Sequence, residues 1–248
     1  MGILPCMSRR RTFVPTDLGS PSPLEAWLQR ATPLDSFHVP SERQPDLDSG
    51  CWISIEMIAA LHEAATIPPQ SLRASWFANK EYVSESLRII DSDEPLWIDR
   101  DEAEMIREAL GPPPPNCCPI YFISARDGAT ERLVYIGKTS ARTQRFRAGH
   151  SAITQLHDPK YAGMTKRLLL ARVLFTGVRD YLPIEFVAPL SRAESLLTSI
   201  ESQLIFELQP ELNVAARRFY RPASPMMITI ANHIPGESFL RDRTLFGR

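Results

Sequence analysis

Four consecutive prolines, Pro112 to Pro115, follow Gly111 and divide the chain into two stretches of different character. Each proline fixes φ near −65° and lacks an N–H, so such a run enters neither a helix interior nor a central strand. It reads as a stiff polyproline II spacer over 112–116, and it marks the expected domain boundary. Ahead of it, residues 1–50 scatter Pro, Ser and Asp around one short helical pattern, Pro23 to Leu28, and read as a Pro-rich, partly disordered segment. Residues 51–111 read as an acidic helical domain. Ile55, Ile58, Ala59 and Leu61 recur near helical spacing and predict a helix over 52–65. Two more helices are expected over 80–90 and 99–110, the last with acidic residues in its first turn, where the helix dipole favours them.

Past the prolines the period becomes strand-like. Residues 119–124 and 132–138 predict two strands joined through the turn signal Asp127-Gly128. A basic helix is expected over 141–149 and another helix over 160–171. A third strand, opened by Pro183, follows over 182–187, then a helix over 193–208 ended by Pro210. The expected fold class is α+β: a small antiparallel three-stranded sheet flanked by helices over 117–221, preceded by a mostly helical N-terminal domain. Residues 222–248 read as a C-terminal tail.

The net charge of −1 conceals an asymmetry. Residues 1–118 carry ten Lys/Arg against eighteen Asp/Glu, a net of −8, whereas residues 119–221 carry fifteen against nine, a net of +6. A basic module beside an acidic one points to a polyanionic partner, nucleic acid, for the second stretch. The acidic stretch is expected either to restrain that module within the same chain or to bind a partner protein. No run approaches 18 apolar residues, so no spanning helix and no membrane partner are expected. The short apolar start before Arg9-Arg10-Arg11 is not a signal peptide pattern, and an intracellular protein is expected. Cys6, Cys51, Cys117 and Cys118 show no C-x-x-C spacing and read as reduced thiols rather than zinc ligands.

The chemistry concentrates in the second stretch. Tyr121 and Tyr135 sit on adjacent predicted strands, and Gly137-Lys138 follow Tyr135. A glycine there lets the backbone approach a phosphate, with an ammonium beside it. Arg142, Arg145 and Arg147 share the basic helix, with His150 just beyond. Glu201 stands with Leu197, Leu204, Ile205 and Leu208 on one helix face, where a carboxylate is costly to bury unless paired or metal-bound. Glu194 and Glu207 lie near the edges of the same stripe. Lys166, Arg167, Arg172, Arg217, Arg218 and Arg221, with Phe219 and Tyr220 among the last three, offer a surface that could track phosphates.

Ile120-Tyr121, Tyr135-Ile136-Gly137, the basic run and Glu201-x-x-Leu204-Ile205 ending at Pro210-x-x-Asn213 together resemble the GIY-YIG nuclease superfamily over about 117–215. The helix end is most similar to the nuclease module of the bacterial excision-repair incision subunit. Pro119 departs from the pattern where glycine is usual. The resemblance implies a metal-dependent DNA endonuclease with Glu201 as the sole protein carboxylate on one divalent ion, Mg²⁺ or Mn²⁺. One phenol of Tyr121 and Tyr135 would orient or deprotonate the attacking water, and Arg145 would hold the scissile phosphate. His150 would serve as auxiliary base or proton shuttle, Gly137, Lys138, Arg142 and Arg147 would contact substrate, and Asn213, also on the substrate side, would tie down the helix end or touch the metal's water shell. Restriction or phage defence is the expected setting. The alternatives are a repair or structure-selective nuclease, and a catalytically inactive nucleic-acid-binding module. Double-strand cleavage by a one-site enzyme often needs two copies, so a homo-oligomer is a further candidate.

Overall fold

The computed structural model describes residues 22–34, 47, 50–67, 71–92, 97–139, 151–176, 181–214, 217, 226–232 and 234–247. Its centre is a mixed, curled sheet of seven strands: β1 (Gly50–Ala60), β2 (Ile120–Asp127), β3 (Thr130–Lys138), β4 (Thr165–Thr176), β5 (Tyr181–Pro183), β6 (Met227–Asn232) and β7 (Arg243–Phe246). The order is β3-β2-β4-β1-β6-β7, with β5 paired to the end of β4. Helices α1 (Pro23–Leu28), α2 (Leu72–Ile89), α3 (Arg100–Leu110), α4 (Ser151–Gln155) and α5 (Leu190–Leu208) complete the described elements.

This corrects the expected fold class. The sheet is not a small three-stranded antiparallel one, and the stretch before the prolines is not mostly helical. Residues 52–65, expected as a helix, form most of β1 and then a 3-10 turn, Leu61–Thr66. β1 pairs antiparallel with β4 and parallel with β6, so the sheet takes strands from both sides of the proline run. The physical reason lies in Cys51, Ile53 and Ile55. These alternate residues are buried and carry a period of two that outweighs the weaker helical spacing of Ile58 and Leu61. Residues 160–171, also expected as a helix, give instead the central strand β4. Leu168, Leu169, Leu170, Ala171, Val173 and Phe175 are all buried because both faces of β4 are covered, and such a run carries no period to read. The stretch expected as a tail supplies β6 and β7.

Other expectations hold. α3 matches the helix expected over 99–110 to within a residue, and α2 contains the one expected over 80–90 but starts eight residues earlier, at Leu72; Asp99 with Glu102 closes a full capping box at the start of α3. The β2–β3 hairpin forms around Asp127 and Gly128, with φ +56° at the glycine. α5 ends at Gln209 in the left-handed conformation, just before Pro210. The strand expected over 182–187 is short, giving way to a 3-10 turn at Ile184–Phe186. The basic helix expected over 141–149 lies outside the described residues.

Two apolar layers sandwich the sheet. One contains Ile120, Phe122, Ile136 and the inner side chains of α5, including Leu197, Leu204 and Ile205. The other contains Tyr121, Ile123, Ala125, Val134 and Tyr161, with Tyr135 packed against it. Strand alternation assigns β2 cleanly to both layers, odd residues to the second and even ones to the first.

Candidate active site

β3 is an edge strand, and the candidate residues gather along it. Tyr121 lies directly across from Gly137 in the β2–β3 register. Its ring folds over that glycine, so that a Cβ at 137 would stand 2.4 Å from both Cζ and Oη of the phenol. Only the missing side chain lets Tyr121, wholly buried, reach across β3 toward the sheet margin. The half-buried Tyr135 lies beside it, with ring centroids 6.0 Å apart and planes inclined at 32°. The two phenols thus form one aromatic pair on the second apolar layer.

Lys138 is the next residue, and alternation turns it toward α5. Its Nζ donates to Thr198 Oγ1 at 2.7 Å and stands 3.1 Å from Glu201 Oε2. Both partners of the ion pair are mostly covered, with 16% of the Lys138 side chain and 17% of that of Glu201 exposed. Gly137 and Lys138 are therefore the hinge between the tyrosine pair and the carboxylate. Thr198, one turn before Glu201, escaped the sequence reading. An exposed helix threonine carries no signal until its lysine partner is known. Among the other carboxylates of the α5 stripe, Glu194 is spent on Arg73 of α2 at 2.9 Å.

Asn213 fixes the strand margin. Its Nδ2 donates to Ile136 O at 2.8 Å, and its Oδ1 accepts from Ile136 N at 2.9 Å. Leu212 N donates to Val134 O at 2.9 Å. The segment after α5 thus completes the outer edge of β3 and holds the helix bearing Glu201 against the strand bearing Tyr135. Asn213 is buried, and its amide is engaged with this backbone.

Of the expected site residues, Tyr121, Tyr135 and Gly137 gather on one face of β3, Lys138 and Glu201 pair on its α5 side, and Asn213, expected to contact substrate, is buried with its amide bonded to the β3 backbone. Arg142, Arg145, Arg147 and His150 lie outside the described residues. Two members of the supposed phosphate-tracking surface are occupied elsewhere. Arg167 donates to Glu131 at 2.9 and 2.5 Å and to Glu237 at 2.5 Å. Arg172 is buried beside the fully buried Glu185.

Glu201 is the one expected metal ligand, and its carboxylate is paired with Lys138. A hard divalent cation keeps several of its waters and is held through one or two carboxylates plus substrate phosphates, rather than in an all-protein cage. Glu201 supplies one partly exposed carboxylate of that kind. Among the described residues no three His, Cys, Asp or Glu side chains converge into a closed metal cage. No helix is long and apolar enough to cross a membrane among the described residues. In comparisons with known proteins, no family model, no curated protein and no solved structure matches the chain.

Proposed function

We propose that this chain is a metal-dependent endonuclease of the GIY-YIG type that hydrolyses phosphodiester bonds in DNA. The observation that carries the reading is the junction at Gly137-Lys138. There consecutive residues of the edge strand serve its two faces, Gly137 under the Tyr121–Tyr135 pair and Lys138 in the ion pair with Glu201 on the α5 side. The net charge of +6 over residues 119–221 supports a polyanionic substrate.

In this reading Glu201 holds one Mg²⁺ or Mn²⁺. When bound, the ion supplies Lewis acidity at the phosphoryl group and stabilises the leaving oxygen. The chain's own groups do the rest. A phenol of the tyrosine pair accepts a hydrogen bond from the attacking water and orients it toward phosphorus. Lys138 transfers its ammonium contact from Glu201 to a phosphoryl oxygen. The new P–O bond forms as the P–O bond to the departing sugar breaks; the water's proton leaves by way of the phenol to solvent, and the departing sugar oxygen takes one up from solvent. Arg145, by the resemblance, is the further guanidinium on the phosphate. The setting we favour is restriction or phage defence, with the acidic N-terminal stretch as the regulating or target-reading element.

One observation favours a second reading. Lys138 already neutralises the carboxylate that the cation needs, as it would in a module that binds nucleic acid without cutting it. Supercoiled plasmid incubated with the protein in Mg²⁺, Mn²⁺ or EDTA separates the two. The nuclease nicks or linearises the plasmid only with metal, whereas the inert module retards it on a gel and leaves it intact in all three.

A further inference from the structure

The second apolar layer carries a cluster of cations that the site above does not use. Tyr161, fully buried, ends a 3-10 turn at Pro159–Tyr161 and hydrogen-bonds Glu211 through its hydroxyl. The guanidinium carbon of Arg132 stands 5.4 Å from the Tyr161 ring centroid, and Lys160 Nζ stands 4.8 Å from it. Both cations also face Glu211, Arg132 Nε at 3.9 Å and Lys160 Nζ at 3.8 Å, the outer limit of an ion pair. Their side chains remain 46% and 49% exposed. Among the described residues, the one side-chain hydrogen bond from either is Arg132 Nη2 to the Met164 sulfur at 3.8 Å. Arg217 adds a third cation, donating Nη1 to Glu211 O at 3.3 Å. Asp158 is also near, but its carboxylate caps Lys160 N at 2.9 Å.

A bulge decides which way this cluster faces. The β2–β3 register shifts between Ile123 and Ser124, opposite Tyr135 and Leu133, leaving Val134 as the extra residue. Because side chains alternate, one inserted residue exchanges the faces of everything beyond it. Arg132 would otherwise share the α5 side with Ile136 and Lys138. It instead points to the layer of Tyr135, Tyr121 and Tyr161. The cations therefore rise on the face where the phenols lie, their stems packed on an aromatic ring and their donors open to solvent.

Arg132 stands across from Ala125 and Lys138 across from Ile120, five residues apart on β2 and so roughly 17 Å at about 3.3 Å per residue. One phosphate cannot reach both, yet a duplex along β3 spans that length and offers further phosphates of either strand, each strand carrying one per roughly 3.4 Å of axis. We infer that Arg132 and Lys160, with Arg217 behind them, form a second phosphate subsite that anchors duplex DNA on the tyrosine face, away from the bond being cut. This rests on the nuclease reading. Glu211 holds the cations in place and partly offsets their charge.

The test is duplex DNA binding by fluorescence anisotropy in EDTA, measured from 50 to 200 mM salt so that no cleavage intervenes. The Arg132→Gln/Lys160→Gln double variant should bind more weakly, with the log Kd against log salt slope reduced by between about 1 and 2. Arg132→Lys, which keeps the charge, should retain the wild-type slope. Glu211→Gln should bind several-fold tighter, an outcome that a purely structural cluster would not produce. Thermal melts of each variant show that it is folded. A wild-type protein that binds with an unchanged slope in the double variant, or no tightening in Glu211→Gln, overturns the subsite alone. A wild-type protein that binds no duplex overturns both the subsite and the nuclease reading.

Discussion

Tyr121 occupies the space that a side chain at position 137 would need: a Cβ there would stand 2.4 Å from its phenol oxygen. The pairing is a packing constraint, because the phenol crosses the edge strand only over a glycine. Gly137→Ala must push a fully buried ring aside, at a cost of about 1–3 kcal/mol by analogy with other overpacked cores. The melting temperature should fall by several degrees, since each kcal/mol is worth about 2–4 °C in a chain of this size. In a double-mutant cycle with Tyr121→Leu the two losses should not add, because the shorter side chain relieves the clash. Strict additivity would show that the ring does not lie where described.

Asn213 offers a sharper stability test. Its amide satisfies both backbone groups of Ile136 in a buried setting. Asn213→Ala leaves a donor and an acceptor unpaired, each worth about 1–3 kcal/mol. Chemical denaturation should show a loss of that order, and hydrogen exchange at the Ile136 amide should accelerate. A neutral substitution would mean that water replaces the amide at no cost.

Acid and alkaline limbs of stability should have different owners. Hydrogen bonding from Arg167, foremost, holds the Glu237 carboxyl below its ordinary 4.5. A depressed carboxylate contributes stability that is present above 4.5 and is lost as pH falls through its folded value. Glu237→Gln should therefore flatten the acid side of a melting-temperature profile. Burial acts in the opposite sense on Glu185 and pushes its carboxyl up, with Arg172 opposing. Its contribution is present below 4.5 and declines as pH rises, so Glu185→Gln should lower stability less at pH 8 than at pH 4. Profiles parallel to wild type would discard both assignments.

In the proposed nuclease, Lys138 is the contact expected to separate a working site from an inert one. Lys138→Gln removes the ammonium from both Thr198 and Glu201. If it moves to phosphate during the reaction, kcat should drop by about 10²–10³, the scale of losing one charge-stabilising donor. A rate within twofold of wild type would assign the lysine to structure alone.

How far the sequence reaches differs between the two sides of this site. The tyrosine hairpin is legible because Asp127-Gly128 demands a turn and the flanking residues alternate. α5 is legible because Leu197, Leu204 and Leu208 recur at helical spacing and Pro210 closes the run. β4 is not, since Leu168, Leu169 and Leu170 are buried on both faces and carry no period. β1 misleads for a subtler reason: Ile55, Ile58 and Leu61 mimic a helix stripe, while Cys51, Ile53 and Ile55 mark the strand. In the site, Glu201 and Lys138 are each visible as residues, but their ion pair is a tertiary contact with no local signature. The bulge at Val134 is equally silent, and it alone decides where Arg132 points.

In the proposed nuclease Glu201 carries the metal chemistry and not the fold. The most direct measurement compares Glu201→Gln with wild type for plasmid cleavage in Mg²⁺ and for DNA binding in EDTA. Cleavage should fall by at least about 10²-fold, with affinity within a few-fold of wild type. Cleavage by the variant at the wild-type rate would contradict it.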